Sequence, residues 1–337
     1  MLFGCANIIM PTGGDKDTKA PVLINITQEN NMSSTEIVFT FDEYIKFNDI
    51  NNNFFISPPI NNTIEKKISN KSLVIDIEDG LKNHTTYHMS LNKCIKDLNE
   101  GNVLDSLSFL FSKSKKLDTA NIEGVLIEAY SLNCIENAWV MIFEATRCDS
   151  VIFKEIPDYI TKTNSSGKFY FQNLKNNHTY KLVALTGGDF IYNVGEKIAF
   201  NKNVISLKED TIINLIAFEE KTKNVINDSL SFIEDSVLKK DSLNNSSLLI
   251  STAKNTRVLF ELMSSNGKKR VSFFNNPPYL IKSIPAGEYT LKYIFDENND
   301  KSWSTGDWEN KKQPEKTINY PNMITIREDW DLEIEWD

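Results

Sequence analysis

The chain has 337 residues, a formal net charge of −9 at pH 7 and a hydrophobic fraction of 40%. This length allows two or three domains, each with its own core. Because the acidic charge is spread along the chain, neither a nucleic-acid groove nor a basic patch for anionic lipid is expected. No apolar run approaches the roughly eighteen residues that a membrane-spanning helix needs.

The first feature in chain order is Leu2-Phe3-Gly4-Cys5, which has the pattern of a bacterial lipobox. A small residue before the cysteine and a leucine three residues before it are typical of sites where the cysteine becomes lipid-carrying. Cys5 is therefore the predicted lipidation site, and its acyl chains would be the membrane anchor. Only Met1 precedes the motif, so the signal peptide would be trimmed or its start codon misassigned. The alternative is a chance match in a soluble protein.

Residues 1–19 are predicted to form a flexible tether, because Pro11-Thr12-Gly13-Gly14 favour turns and little is available to bury. The first strand-rich block follows at residues 20–113. Its apolar residues alternate with polar ones, which predicts half-buried strands. The clearest alternating sets are Ile37, Phe39 and Phe41, and Leu73, Ile75 and Ile77.

Two further blocks are predicted at residues 119–220 and 248–337. The segment between them, residues 221–247, is rich in Asn, Ser, Asp and Lys and is expected to be a linker, with edge strands as the alternative. Residues 232–240 could form one short helix, and helical periodicity is otherwise nearly absent. The third block ends in an alternating run that predicts a last strand, formed by Trp330, Leu332, Ile334 and Trp336. Trp139 and Trp330 are expected to be structural strand residues.

Each block contains a tyrosine that starts an alternating strand after a turn rich in Asn, Gly or Pro: Tyr87, Tyr180 and Tyr289. Ig-like sandwiches place such a tyrosine at a corner, where its hydroxyl binds backbone and its ring packs inward. The general preference of tyrosine for strands is the alternative explanation. Recurrence in successive blocks indicates a modular array of sandwiches.

The first block resembles the bacterial Ig-like domains of S-layer-type and Bacteroidota envelope lipoproteins. The matching segments are residues 11–21, 37–45, 56–59 and 95–102. The third block resembles the same lipoprotein group through residues 284–289 and 330–333. The resemblance implies an outer-membrane lipoprotein of Bacteroidota type.

The second block resembles carboxypeptidase regulatory-like, or transthyretin-like, sandwiches. The similarity lies in Gly124-Val125, the strand at residues 139–143 and the segment at residues 163–171. Such domains accompany enzymes and receptors as non-catalytic modules, so the resemblance implies no peptidase activity. A shared sandwich does not by itself establish function.

With Cys5 reserved for lipid, an odd set of three cysteines remains, which argues against a disulfide framework. Cys134 and Cys148 flank a predicted strand at residues 138–145 that would hold them apart. Neither these two nor Cys94 shows metal-ligand spacing, and all three are expected to be ordinary small residues, with one of them possible as a reactive thiol.

The most specific candidate site is a loop with the oxygen spacing of a twelve-residue Ca²⁺ loop. The candidate ligands at positions 1, 3, 5, 9 and 12 are Asp296, Asn298, Asp300, Ser304 and Asp307. Lys301 departs from the pattern where glycine usually makes the sharp turn. A solvated acidic hairpin loop is the alternative. In the same loop, Trp303 and Trp308 are candidates for contact with a glycan or a partner protein.

No catalytic constellation is evident. The only histidines are His84, His88 and His178, and two of them fall in the turns before repeated tyrosines. No nucleophile elbow, Walker loop or His-Glu-x-x-His motif occurs. A carboxylate-based hydrolase stays open as a remote alternative, since acidic residues are plentiful.

The sequence thus predicts an all-β protein of tandem Ig-like or transthyretin-like antiparallel sandwiches behind a lipidated tether. The expected function is that of a non-catalytic adaptor or accessory subunit of an outer-membrane assembly. Its partners would be the membrane, through the lipid, and another envelope protein. The first alternative is a carbohydrate-binding surface lipoprotein that uses the two loop tryptophans and Ca²⁺.

Overall fold

The computed structural model describes residues 16–30, 34–78, 81–113, 117–207, 210–221, 246–252 and 256–336. Three separate clusters of buried apolar side chains lie along the chain, one in each predicted block. Strands dominate, and the all-β fold of successive sandwiches is therefore confirmed. Cys5, most of the tether and the predicted helix at residues 232–240 lie outside the described residues.

The first sandwich contains three antiparallel sheets, with strand orders β1-β2-β6-β5, β4-β7-β9 and β3-β8. One short helix, α1 (Ile50–Asn53), precedes β4. The strands are β1 (Leu23–Asn30), β2 (Ser34–Phe41), β3 (Ile45–Phe47), β4 (Phe54–Ser57), β5 (Ile64–Ser69), β6 (Ser72–Glu78), β7 (Tyr87–Leu91), β8 (Ile95–Asp97) and β9 (Ser108–Phe111).

The predicted alternation in the first sandwich is confirmed on the two central strands. Ile37 lies opposite Ile75, and Phe39 lies opposite Leu73, across the β2–β6 pair. All four side chains are fully buried on one face. Such cross-strand apolar pairs are the unit that stabilises a sheet, and here they form the floor of the first core.

The second sandwich is one nine-stranded sheet that curls around its own core. A 3-10 helix (Asp149–Phe153) lies between β11 and β12. The strands are β10 (Ala120–Glu128), β11 (Trp139–Glu144), β12 (Tyr159–Lys162), β13 (Lys168–Leu174), β14 (Thr179–Leu185), β15 (Lys197–Phe200), β16 (Ile205–Ser206), β17 (Thr211–Ile212) and β18 (Leu215–Glu219).

The third sandwich packs a sheet of order β22-β19-β26 against one of order β21-β20-β23-β24, and β25 also pairs with β23. Its strands are β19 (Ser247–Ser251), β20 (Val258–Ser264), β21 (Lys269–Phe274), β22 (Tyr279–Lys282), β23 (Gly287–Phe295), β24 (Thr317–Asn319), β25 (Ile324–Ile326) and β26 (Asp331–Glu335).

Not every pairing is antiparallel, although antiparallel sheets were expected. β10 pairs in parallel with β17 and β18, and β19 pairs in parallel with β26. In both sandwiches the first strand meets strands from the end of the same block. Parallel neighbours need a long crossover connection, and the intervening chain of each block supplies it.

The described chain forms two compact units, residues 1–119 and residues 120–337. The second and third sandwiches are therefore joined in one body, whereas the composition of residues 221–247 suggested separate modules on a linker. Residues 222–245 lie outside the described residues. The contacts that join the two sandwiches come from a loop of the third sandwich and from strand residues of the same sandwich.

The tyrosine corners are confirmed in the first and third sandwiches. The hydroxyl of Tyr87 accepts the N–H of Lys82 at 2.9 Å, and that of Tyr289 donates to the carbonyl of Pro285 at 2.8 Å. In the second sandwich, the ring of Tyr180 is buried edge-on against Tyr159. The hydroxyls of Tyr87 and Tyr289 thus fix a turn to the strand that follows it.

Trp330 corrects one expectation, because it is not a core residue of the last strand. β26 begins at Asp331, and Trp330 follows Asp329, which has a left-handed φ of 50°. This turn leaves the indole 56% exposed, whereas Ile334 and Trp336 point into the core as the alternation predicts.

Candidate functional site

All predicted calcium ligands and both candidate contact tryptophans lie in one loop, residues 296–315, between β23 and β24. We call this segment the docking loop. It folds back on itself: Glu315 N–H donates to the Ser304 carbonyl at 2.9 Å, and Asp307 and Lys312 exchange two backbone hydrogen bonds of 2.9 Å. The loop is therefore an ordered structure with its own hydrogen bonds.

The candidate calcium ligands are occupied by hydrogen bonds within the loop. The buried Asp296 carboxylate accepts the N–H groups of Asp300 and Lys301, each at 3.2 Å. Asp307 faces a different turn, where it accepts the N–H of Asn310 at 2.8 Å and its side-chain amide at 2.7 Å. The two end ligands thus hold separate turns.

The middle ligands meet around an amide nitrogen. Asn298 Nδ2 donates to Asp300 Oδ2 at 2.9 Å and to Ser304 Oγ at 2.8 Å. Partial burial opposes ionisation of Asp300, but hydrogen bonds from Ser302, Asn298 and Ser304 lower the pKa of its carboxyl below the usual value. Among the described residues, no group of three or more His, Cys, Asp or Glu side chains is arranged to hold a metal ion. Ca²⁺ binding stays a prediction.

The turn at Lys301 explains how the loop closes without the glycine of a calcium loop. Lys301 adopts φ 59° and Asn299 adopts φ 63°, both in the left-handed region. Lysine pays a steric cost there that glycine would avoid. The two N–H bonds to Asp296 hold the backbone in this conformation.

Glu315 organises the docking loop, although it lies outside the twelve-residue spacing. Its buried carboxylate accepts the N–H groups of Glu297 at 3.0 Å, Asn298 at 3.4 Å and Ser304 at 2.9 Å. Burial raises the pKa of this carboxyl, while the three N–H donors pull it in the opposite direction. No local sequence pattern marks Glu315, because its partners lie 11 to 18 residues away.

Trp308 is the anchor of the docking loop on the second sandwich, which corrects the expectation of an exposed contact residue. Its indole is only 6% exposed and meets the ring of Phe200 edge-on, with centroids 5.2 Å apart. The Lys311 ammonium lies 3.0 Å from the centroid of the indole. The backbone N–H of Trp308 donates to Glu220 Oε1 at 2.7 Å.

Gly306 lets the docking loop approach the second sandwich closely. A Cβ atom at this position would lie 2.5 Å from the ring of Phe218. The neighbouring Thr305 hydroxyl donates to the carbonyl of Glu219 at 2.7 Å. This stretch therefore lies flat against the end of β18, and only glycine fits over the ring.

Trp303 packs on the second sandwich from the other side of the loop. Its ring is 5.0 Å from that of Tyr130, and its Nε1 donates to the carbonyl of Glu315 at 3.0 Å. The indole is half-buried. Both tryptophans thus contact the second sandwich. Trp303 keeps a partly exposed surface, so its contact with a glycan or a partner protein stays a prediction.

Tyr130 joins the two sandwiches through charged groups that the sequence did not reveal. Its hydroxyl donates to the buried Glu261 carboxylate and accepts from Lys269 at 2.8 Å, and Lys269 also pairs with Glu261 at 2.6 Å. Lys292 donates to the Tyr130 carbonyl and lies 3.9 Å from its ring centroid. Burial, then the hydrogen bond to Glu261, raises the pKa of Tyr130.

Backbone carbonyls of the second sandwich complete the interface. The Thr317 hydroxyl donates to the carbonyl of Ala129 at 2.8 Å, and the Gln313 amide donates to that of Phe200 at 2.9 Å. Since buried carbonyls need partners, these bonds make the contact specific as well as apolar. The docking loop is therefore an internal joint.

The three described cysteines are free thiols, as expected. Cys94 is buried, whereas Cys134 and Cys148 are exposed. Burial raises the pKa of Cys94 to about 12. A hydrogen bond with Ser150 lowers the pKa of Cys148, and their Sγ and Oγ atoms are 2.9 Å apart.

Residues 17–112 match the family model described as bacterial Ig-like domain. This match confirms the Ig-like resemblance of the first block and covers nearly all of the first sandwich. No curated protein matches the chain. The Bacteroidota lipoprotein and regulatory-like resemblances stay predictions.

The chain is similar at low identity to several solved structures. One is BcpA, the major pilin subunit of Bacillus cereus, at 10% identity over 59% of this chain and 71% of the pilin, with a TM-score of 0.21. Another is a streptococcal ancillary pilin, at 10% identity over 81% of this chain and 79% of the pilin, with a TM-score of 0.19. A third is the MG0-NIE-MG1 part of alpha-2-macroglobulin from Escherichia coli, at 14% identity over 81% of this chain and 93% of that structure, with a TM-score of 0.24. TM-scores this low carry no argument about function.

Proposed function

We propose that this protein is a non-catalytic, lipid-anchored component of the cell envelope that acts as an adaptor or accessory subunit of an outer-membrane assembly. The observation that carries the proposal is the joint between the second and third sandwiches. The two sandwiches are held together by some of the most distinctive residues of the chain, namely Trp308, Gly306 and Tyr130. A chain built in this way is suited to present surfaces at a fixed spacing.

The bacterial Ig-like match at residues 17–112 supports the same function. Sandwiches present edge strands and end loops to partner proteins. In the proposal, Cys5 carries the lipid and the tether connects it to the first sandwich. None of the helices among the described residues is long and apolar enough to span a bilayer.

The buried carboxylates support the non-catalytic part of the proposal. In the described part of the chain these are Asp97, Glu261, Asp296 and Glu315. Asp97 accepts the N–H groups of three successive residues, and the other three accept the turn and interface hydrogen bonds given above. Carboxylates bound in this way maintain local structure, so a hydrolase built on them is not favoured.

The lipid anchor can be tested by metabolic labelling in the source bacterium with an alkyne fatty acid. We expect label on the wild-type chain, loss of label in Cys5→Ser, and full label in the control Cys134→Ser, whose thiol is exposed. Equal labelling of wild type and Cys5→Ser would refute the anchor.

The adaptor role can be tested by photo-crosslinking in intact cells, with the photoreactive residue placed at exposed positions of each sandwich. The expected result is one envelope protein captured from a limited set of positions, and its loss when the neighbouring surface is substituted. Capture of only abundant bulk proteins from every position would argue against an adaptor.

A further inference from the structure

A cleft of about 450 Å³ opens at one end of the third sandwich. It lies where β21 and β23 end beside the start of β20. At this edge Phe274 and Phe295 each lie opposite Val258. The residues just beyond this row form the walls, and Phe295 forms part of the floor. The cleft is thus placed on an end of the sandwich, where loops are held by a rigid sheet.

The walls are held in place by buried tyrosines and by the docking loop. The carbonyl of Thr256 accepts the Tyr279 hydroxyl at 2.7 Å, and its Oγ1 lies 3.1 Å from the Tyr293 hydroxyl. On the opposite wall, the N–H of Glu297 is bound to Glu315 at 3.0 Å. Preorganised walls lower the entropy cost of binding a ligand.

Four polar side chains around the cleft are exposed and make no hydrogen bond or ion pair with any residue that the structure describes: Arg257, Asn275, Asn276 and Glu297. Together they offer a guanidinium, two amides and a carboxylate toward one space.

We propose that this cleft binds an uncharged glycan. Amide and charged side chains can donate to and accept from neighbouring sugar hydroxyls, and the partly exposed ring of Phe295 offers an apolar surface to the face of a sugar ring. Arg257 brings one positive charge to the lining, and Glu297 and the hydrogen-bonded Asp296 bring two carboxylates, so the cleft has no excess of positive charge that would favour an anion. This argues for a neutral glycan over a phosphate or an acidic sugar.

The glycan site is separate from the two loop tryptophans and does not depend on the proposed lipid or protein partner. It involves the exposed faces of residues at the sheet end, whereas Trp303 and Trp308 face the second sandwich. Since the cleft is open to solvent on one side, affinities near 1 mM are expected.

The test is a titration of the full chain with trisaccharides, monitored by saturation-transfer NMR and calorimetry. The neutral probes are maltotriose, xylotriose, mannotriose and chitotriose, and the acidic probe is trigalacturonate. We expect at least one neutral trisaccharide to bind. The double substitution Asn275→Ala with Asn276→Ala, and separately Arg257→Ala, should each weaken that binding about tenfold.

The matched control is Asn322→Ala, an exposed asparagine on another loop of the same sandwich, which should bind the glycan as the wild type does. All substituted side chains are exposed, so the variants should fold normally. The proposal is overturned if no neutral probe binds at about 10 mM, if trigalacturonate binds more tightly, or if the cleft variants bind unchanged.

Discussion

Glu315 is a buried carboxylate whose oxygens accept N–H groups from the start and the middle of the docking loop. A buried charge is tolerated only when hydrogen bonds replace its hydration. Three backbone donors do so here, and the same bonds close the loop into the shape that fits the second sandwich. The position of Trp303 thus depends on hydrogen bonds to Glu315, which lies outside the twelve-residue spacing.

Replacing Glu315 by Ala should lower the free energy of unfolding by about 2–3 kcal/mol, because the buried N–H of Ser304 and the partly buried N–H groups of Glu297 and Asn298 lose their acceptor. Denaturant unfolding followed by tryptophan fluorescence would measure the change. Glu309→Ala is the control, since Glu309 is exposed on the same loop. Equal effects of the two substitutions would contradict the role assigned to Glu315.

The cysteines should differ in reactivity at neutral pH because only the thiolate reacts. Burial raises the pKa of Cys94 to about 12, so this thiol stays protonated as pH rises toward 9. The Ser150 hydrogen bond lowers the pKa of Cys148, so its thiolate forms at a lower pH than an ordinary thiolate does. Iodoacetamide labelling with peptide mass spectrometry should show Cys148 modified first and Cys94 modified only after unfolding. Early labelling of Cys94 would disprove the burial.

In the docking loop, the spacing of the acidic residues predicts Ca²⁺ ligands, whereas the structure shows these residues in hydrogen bonds within the loop. Asp296 and Asp300 do shape the loop, but through N–H groups of the loop itself. Turn chemistry and calcium coordination draw on the same residue types, so sequence spacing cannot separate them. The aromatic and glycine residues in the same loop decide what it contacts.

Substituting Gly306 by Ala should weaken the joint by about 1–3 kcal/mol, because the new methyl group would overlap the Phe218 ring. Gly188→Ala is the matched control, since a Cβ there meets nothing within 4 Å. Chemical denaturation of both variants would compare them. A Gly306→Ala protein as stable as the control would show that the loop does not press on β18.

At the scale of the molecule, two separate cores are combined in the unit of residues 120–337. Each core has its own sheets, and the joint between them is made of aromatic rings, one glycine and buried polar bonds. Interfaces between domains of one chain often allow motion. Here the buried Glu261 carboxylate, bound by Lys269 and Tyr130, favours one geometry of the joint, since breaking these bonds would leave a buried charge unpaired.

Truncating Trp308 to Ala should destabilise this unit by about 3–5 kcal/mol and raise hydrogen exchange in both the second and the third sandwich. The reason is that its indole belongs to the contact that both sandwiches share. Trp330→Ala, whose indole is 56% exposed, is the control and should leave exchange unchanged. Faster exchange confined to the docking loop would mean that the two sandwiches are not coupled through Trp308.

The all-β class, the main strands and two of the three tyrosine corners could be predicted in full from the order of the amino acids. These follow from local backbone geometry: side chains alternate with period two along a strand, so Ile37, Phe39 and Phe41 identify the buried face without knowledge of their partners. Cys5 and the Ca²⁺ ligands remain sequence predictions.

Two features became evident only in the folded protein: the second and third sandwiches form one unit, and Trp308 faces Phe200 instead of solvent. The Tyr130–Glu261 bond joins residues 131 positions apart. Spacing within a loop contains no information on such distant partners, because their meeting depends on how two complete cores pack together. The cleft at the end of the third sandwich likewise could not be read from the sequence, because its walls follow three strands that only the folded sheet places side by side.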